Sequence, residues 1–291
     1  MAQSASTRPT AWWLSTLERR AARMREEHLD LGGPINFADA KEHSAAVNFF
    51  NAAYRAEESG LKQAHELADE VKRWDPELAR VLELYGNEEG WHRELLEAFL
   101  GAIGGEIRPM GRVTRAFYAV YARAKRMETI VLTNLMFETI GATTYRLALG
   151  RVEQPVARQM LTILTRDESF HVPLNVHFLS RILERRPRSA RRRLRLVYHA
   201  LFLSLLALPL ASRPKAQAFD KITRRELSRA YAEQLARLFA HEPSLGLTPP
   251  RALLTLVGVS ARDLLEPPLA GTSAEAAESA AVREQVEVRA L

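Results

Sequence analysis

The chain has 291 residues, 47% hydrophobic and 26% charged, enough apolar material for a sizeable core and too much for a wholly disordered polymer. It contains no cysteine, which excludes disulfides, thiolate zinc sites, iron–sulfur ligation and cysteine nucleophiles together, so any metal must be held by carboxylate and imidazole. The formal net charge is +6, and eight arginines fall between Arg181 and Arg195.

Residues 1–10 lack the apolar segment of a secretory signal and read as a flexible leader, which makes a cytoplasmic protein the expectation. Residues 11–270 read as one all-α domain, with a bundle core at about 40–180 and a C-terminal helical extension at about 181–270. Residues 271–291, rich in Ala, Glu and Ser after Pro267-Pro268, read as a flexible tail. The first bundle helix is expected from about Asp39 to Arg73, and the pair Asp75-Pro76 supplies a cap and first-turn proline for the second. That second helix carries Leu82, Tyr85, Glu89, His92, Leu96 and Phe99 on one face and stops near Gly101. The gap from Glu89 to Glu138 is 49 residues, long enough for a link crossing the length of the bundle. A third helix places Val131, Leu135, Glu138, Ala142 and Tyr145 on one stripe. A fourth does the same with Met160, Leu164, Glu168, His171 and Asn175, and Pro173 is expected to kink it. The apolar run Leu196–Ala211 has 16 residues, short of the roughly 20 that span a bilayer, so it reads as a helix buried against the bundle. A helix from Arg224 to His241 follows.

Two tetrapeptides carry the chemistry: Glu89-Gly90-Trp91-His92 and Glu168-Ser169-Phe170-His171. Residues three apart share a helix face, so each Glu and its His can address the same cation from adjacent turns. Each tetrapeptide follows another glutamate set in an apolar helix: Glu57 lies 32 residues before Glu89, and Glu138 lies 30 before Glu168. Four carboxylates and two imidazoles form an oxygen-rich donor set suited to iron or manganese. Without cations, four buried carboxylates would repel one another at a cost of many kcal/mol. Glu57 and Glu58 are adjacent, and the stripes favour Glu57: its face carries Phe50, Ala53, Tyr54, Leu61 and Ala64, whereas Glu58 shares a face with Asn51, Arg55, Lys62 and His65. Gly60 and Gly141, each one turn after its glutamate, leave space beside the metals. Tyr54, Tyr85 and Tyr145 lie on the ligand faces, as core residues or as radical-forming groups.

This set, Glu57, Glu89-x-x-His92, Glu138 and Glu168-x-x-His171, resembles the ferritin-like di-iron carboxylate superfamily over about residues 40–180. The stretches Asn-Glu-Glu-Gly-Trp-His (87–92) and Arg-Asp-Glu-Ser-Phe-His (166–171) are similar to motifs of soluble acyl-carrier-protein desaturases and arylamine N-oxygenases. Leu164 stands where the N-oxygenases carry a further histidine. The resemblance implies a ferritin-like four-helix bundle with one long crossover, two iron ions (manganese or a mixed pair as alternatives) and dioxygen as co-substrate. It implies an oxygenase, hydroxylase or desaturase acting on an organic substrate, with electrons from an external ferredoxin or flavin reductase. Glu88 and Asp167, each one residue before a ligating glutamate, are expected to accept hydrogen bonds from the opposite imidazoles. Alternative readings are a ferritin- or rubrerythrin-like iron handler and a manganese enzyme that dismutes peroxide. Homodimerisation through flat apolar faces is compatible with such bundles.

The arginines between 181 and 195 have two readings, a solvated helix end or a docking surface for an acidic carrier protein, a phosphorylated substrate or an anionic membrane. No aromatic-interleaved or recognition motif accompanies them, so sequence-specific nucleic-acid binding is not expected.

Overall fold

The structure, a computed structural model, describes residues 8–121 and 124–266. Among these residues every regular element is helical and there is no strand. Most of the leader and all of the tail expected from the sequence (1–7 and 271–291) lie outside the described residues.

The helices are α1 (Thr10–Met24), α2 (Ala40–Val71), α3 (Pro76–Ala102), α4 (Arg112–Tyr121), α5 (Met127–Leu149), α6 (Pro155–Glu184), α7 (Arg188–Asp220), α8 (Arg224–His241) and the short α9 (Arg251–Leu256). Their starts follow local chemistry. Asp39 caps α2 by accepting from the Glu42 N–H at 2.7 Å, and Asp75 caps α3 by accepting from Leu78 at 3.0 Å, with Pro76 where no donor is needed. Thr223 and Glu226 close a reciprocal capping box at the start of α8.

Helices α2 and α3 pack along each other, joined by a turn of four residues, and α5 and α6 form a second such pair. Helix α7 packs on α2 and α5, and α8 packs on α5 and α7. An aromatic cluster pins α7 to the first pair: the Phe50 ring of α2 lies 4.6 Å from Phe99 of α3 and 5.5 Å from Phe219 of α7. Each such contact adds roughly 0.5–1.5 kcal/mol beyond area burial. Helix α6 continues through Pro173 to Glu184 without a break.

Three features depart from the sequence reading. The expected leader to residue 10 is too long, because Thr10 begins α1 and is buried. Helix α1 itself was not anticipated: it lies along α3, burying Trp13, Leu17 and Arg20 at i, i+4 and i+7. Helix α7 extends well beyond the run 196–211, and it is not a wholly buried helix. Leu196, Leu203 and Leu210 are 72%, 54% and 62% exposed.

Candidate metal centre

Between the two helix pairs, all six side chains singled out by spacing converge in the interior. One ligand atom from each of Glu57, Glu89, His92 and Glu168 lies within 4.8 Å of the others, and the same holds for Glu89, Glu138, Glu168 and His171. The two groups are each able to hold a metal ion, and they share Glu89 and Glu168. Their composition is symmetric: one unshared glutamate, one histidine and two common carboxylates on each side. Glu57 of α2, not Glu58, enters the site. Glu57 is 2% exposed, whereas Glu58 faces outward and pairs with Arg55 at 2.7 Å.

Both imidazoles are oriented alike. His92 directs Nδ1 towards Glu57 Oε2 at 3.2 Å and Nε2 towards Asp167 Oδ2 at 3.2 Å. His171 directs Nδ1 towards Glu89 Oε1 at 3.0 Å and Nε2 towards Glu88 Oε2 at 2.9 Å. An outer carboxylate that accepts from Nε2–H fixes the tautomer and leaves the Nδ1 lone pair facing the centre. Glu88 and Asp167 thus cross over, each contacting the histidine of the other helix pair.

Orphaned atoms indicate what the centre is built to contact. Glu89 Oε1, Glu168 Oε2 and His171 Nδ1 are buried without a well-aligned hydrogen bond, although His171 Nδ1 lies 3.0 Å from Glu89 Oε1, 3.6 Å from Glu168 Oε2 and 3.7 Å from Glu138 Oε2. Their lone pairs converge on common space, an arrangement that costs free energy unless a cation or proton occupies it. Among the described residues no Lys or Arg forms an ion pair with Glu57, Glu89, Glu138 or Glu168. Gly60 preserves the room, since a Cβ there would stand 2.7 Å from Glu89 Oε2. Gly141 meets only the Tyr145 ring edge at 3.9 Å, so it is less demanding.

Proton affinities follow from this crowding. Burial and the charges of Glu138 and Glu57 push Glu89 and Glu168 well above the usual carboxylate range. Burial acts in the same direction on Glu138, but the close approach of Glu168 and His171 outweighs it and holds Glu138 down to about 2. Burial opposes a charged His92, yet its hydrogen bonds to Asp167 and Glu57 raise it to about 10. In the metal-free chain, protons therefore neutralise the charge that cations would otherwise balance.

The tyrosines divide into two groups. Tyr85 donates to Glu138 Oε1 at 2.6 Å and Tyr145 donates to Glu57 Oε1 at 3.2 Å, each orienting an unshared carboxylate. Tyr54 is buried, but its ring lies under Arg55 and its hydroxyl makes no hydrogen bond to the site carboxylates. A fourth tyrosine, Tyr118 of α4, was missed by sequence reasoning. Burial and then the charges of Glu57 and Glu138 raise its pKa. Its segment lies in the link between the motif-bearing helices, where no ligand spacing points to it.

Side-chain cations stand one layer out from the centre. Arg20 of α1 donates through Nε to Glu88 at 2.8 Å and through Nη2 to Asp167 at 2.9 Å. Arg23 and Arg166 also contact Asp167, at 2.8 and 2.9 Å. These arginines hold Asp167 well below its usual range against the opposing effect of burial, and Arg20 with His171 likewise holds Glu88 down to about 2. One signal was readable: Arg20 occupies the apolar stripe of Trp13 and Leu17, where a lone cation requires a buried partner.

The sequence matches no protein-family model, and no curated protein or solved structure is detectably similar to it.

Proposed function

We propose that the chain is a ferritin-like di-metal carboxylate protein whose α2–α3 and α5–α6 pairs form a four-helix bundle, with the segment containing α4 as its long crossover, and that it is an O2-dependent oxidoreductase. The observation that carries this reading is the sharing of Glu89 and Glu168 between two otherwise separate Glu/His groups. Two carboxylates common to both groups, with one histidine on each side, would suit two ions rather than one. The chemistry supplied by a bound iron or manganese pair is reduction of dioxygen coupled to oxidation of an organic substrate.

The chain's own groups have definable tasks. His92 and His171 present Nδ1 inward while Asp167 and Glu88 hold their Nε2 protons. Tyr85 and Tyr145 fix the unshared carboxylates of Glu138 and Glu57. Gly60 leaves the shared carboxylate of Glu89 its position. The arginine layer compensates Glu88 and Asp167 without entering the centre, so no side-chain cation competes with metals for the inner carboxylates. No flavin or nicotinamide fingerprint occurs in the sequence, so electrons come from a separate reductase.

The test is oxygen uptake by the anaerobically reduced, iron-loaded protein, with arylamines, free fatty acids or acyl carrier proteins supplied in turn. An organic substrate that accelerates oxygen consumption and is itself oxidised supports the proposal. Uptake at one rate whatever is supplied, accompanied by many irons deposited per chain, would instead identify an iron-storage protein.

A further inference from the structure

Helix α7 has a sided character that the metal centre does not use. Its inner face buries Leu194, Tyr198, Leu201, Phe202 and Leu205. Its outer face carries Leu196, Leu203 and Leu210 at intervals of seven residues, all more than half exposed, with the small exposed Ala200 and Ala207 between them. Two turns of helix separate successive leucines, so they form one straight stripe about 21 Å long at 1.5 Å per residue. No charged side chain interrupts that stripe between Leu196 and Leu210.

The N-terminal end of the same helix is strongly basic. Arg192 and Arg193 are exposed one turn before Leu196, and Arg193 also lines a cavity of about 310 Å³ with Lys125, Arg126 and Arg186. Two acids line the same cavity, Glu70 and Glu128, against four cations: Glu128 pairs with Arg186 at 3.1 Å, while Lys125, Arg126 and Arg193 have no ion-pair partner among the described residues, so the lining keeps an excess of positive charge. The cavity lies where α5 and α7 begin, at Met127 and Arg188, and the N-terminal ends of both helices favour a bound anion.

We propose that α7 docks the protein on an anionic lipid bilayer, with the leucine stripe lying in the headgroup–acyl boundary and the adjoining basic cavity receiving lipid phosphate. Charge complementarity selects this occupant. Two copies joined through α7 in antiparallel fashion would set each arginine end against the other's second half, where no exposed carboxylate is found between Leu196 and Leu210 and Asp220 is buried. A parallel pair would bring the arginines together. An anionic bilayer satisfies both parts of the face at once. Helix α7 lies on the membrane rather than spanning it. Its segment Arg188–Leu210 is long and apolar enough to cross a bilayer, but its inner face is committed to α2, α5 and α8.

The experiment is vesicle co-sedimentation of the full chain with neutral phosphatidylcholine vesicles and with vesicles containing phosphatidylglycerol. The proposal expects binding to the anionic vesicles at least tenfold stronger than to neutral ones, weakened by salt. It expects a loss of tenfold or more in Leu203→Glu and in the double variant Arg192→Glu/Arg193→Glu. The control Leu256→Glu, at another exposed leucine, should bind as the parent does. Metal content and melting temperature, read on every variant, distinguish lost docking from lost folding. Equal binding to both vesicle types, or none, overturns the proposal. So does a dimer in solution that Leu203→Glu dissociates while vesicles remain unbound.

Discussion

The Glu88 carboxylate accepts from His171 Nε2 at 2.9 Å although the two residues lie 83 positions apart, and the same carboxylate is gripped by Arg20 at 2.8 Å. Each histidine of the centre is therefore oriented by an acid on the opposite helix pair, and that acid is held by an arginine from α1. This chain of contacts links the fold of the N-terminal helix to the basicity of an imidazole in the candidate metal centre.

Replacing Glu88 by Gln, or Asp167 by Asn, removes the charge that supports the imidazole while keeping its shape. Metal affinity should fall by roughly 10- to 100-fold in each, with the helical content unchanged. Competition with a chromophoric chelator measures this. Unaltered affinity in both variants would remove the orienting role.

Arg20→Leu leaves Glu88 buried with only His171 beside it, while Asp167 retains Arg23 and Arg166. Breaking a buried pair from one side costs about 3 to 5 kcal/mol. Urea denaturation should show that loss. Arg80→Leu, which breaks an exposed pair with Glu83, should cost at most about 1 kcal/mol.

Gly60→Ala separates fold from site. Alanine is better than glycine inside a helix by up to about 1 kcal/mol, so the metal-free protein should keep its melting temperature or gain slightly. The added Cβ displaces the Glu89 carboxylate, which it would meet at 2.7 Å, and metal binding should weaken. Calorimetry of the metal-free protein together with a metal titration tests both halves.

The pH dependence of the metal-free protein follows from the direction of its shifts. His92 rises from 6.5 to about 10 on folding, so its contribution to stability is complete below 6.5 and is lost as pH climbs through about 10. The raised Glu89 and Glu168 act in the same sense. Glu88 and Glu138, lowered from 4.5 to about 2, contribute above 4.5 and lose that contribution as pH falls through about 2. Melting temperature in chelator should therefore decline between pH 6.5 and about 10. A metal-loaded sample should decline less, because the cation occupies Nδ1. Identical slopes would show that His92 does not exchange its proton for metal.

Much of the site could be read from local pattern. Glu89, His92, Glu168 and His171 were legible because i, i+3 spacing fixes their common face, and Glu57 was separable from Glu58 by the apolar character of its neighbours. The caps at Asp39 and Asp75 and the start of α8 at Arg224 were equally local. The role of α1 was not legible, because Arg20 meets its partners 68 and 147 residues away and nothing local specifies such pairings. Tyr118 was hidden for the same reason. The outward leucines of α7 escaped notice because a strongly apolar run reads as buried, whereas burial depends on which neighbours cover it.

Metal quantification in the purified chain, alongside Glu89→Ala and Glu168→Ala, addresses the shared centre most directly. The expected result is two iron or manganese ions per chain in the parent, and a loss from both positions when either shared carboxylate is removed. A single ion, a stoichiometry near zero after loading, or two ions retained in both variants would contradict a dinuclear centre bridged by these residues.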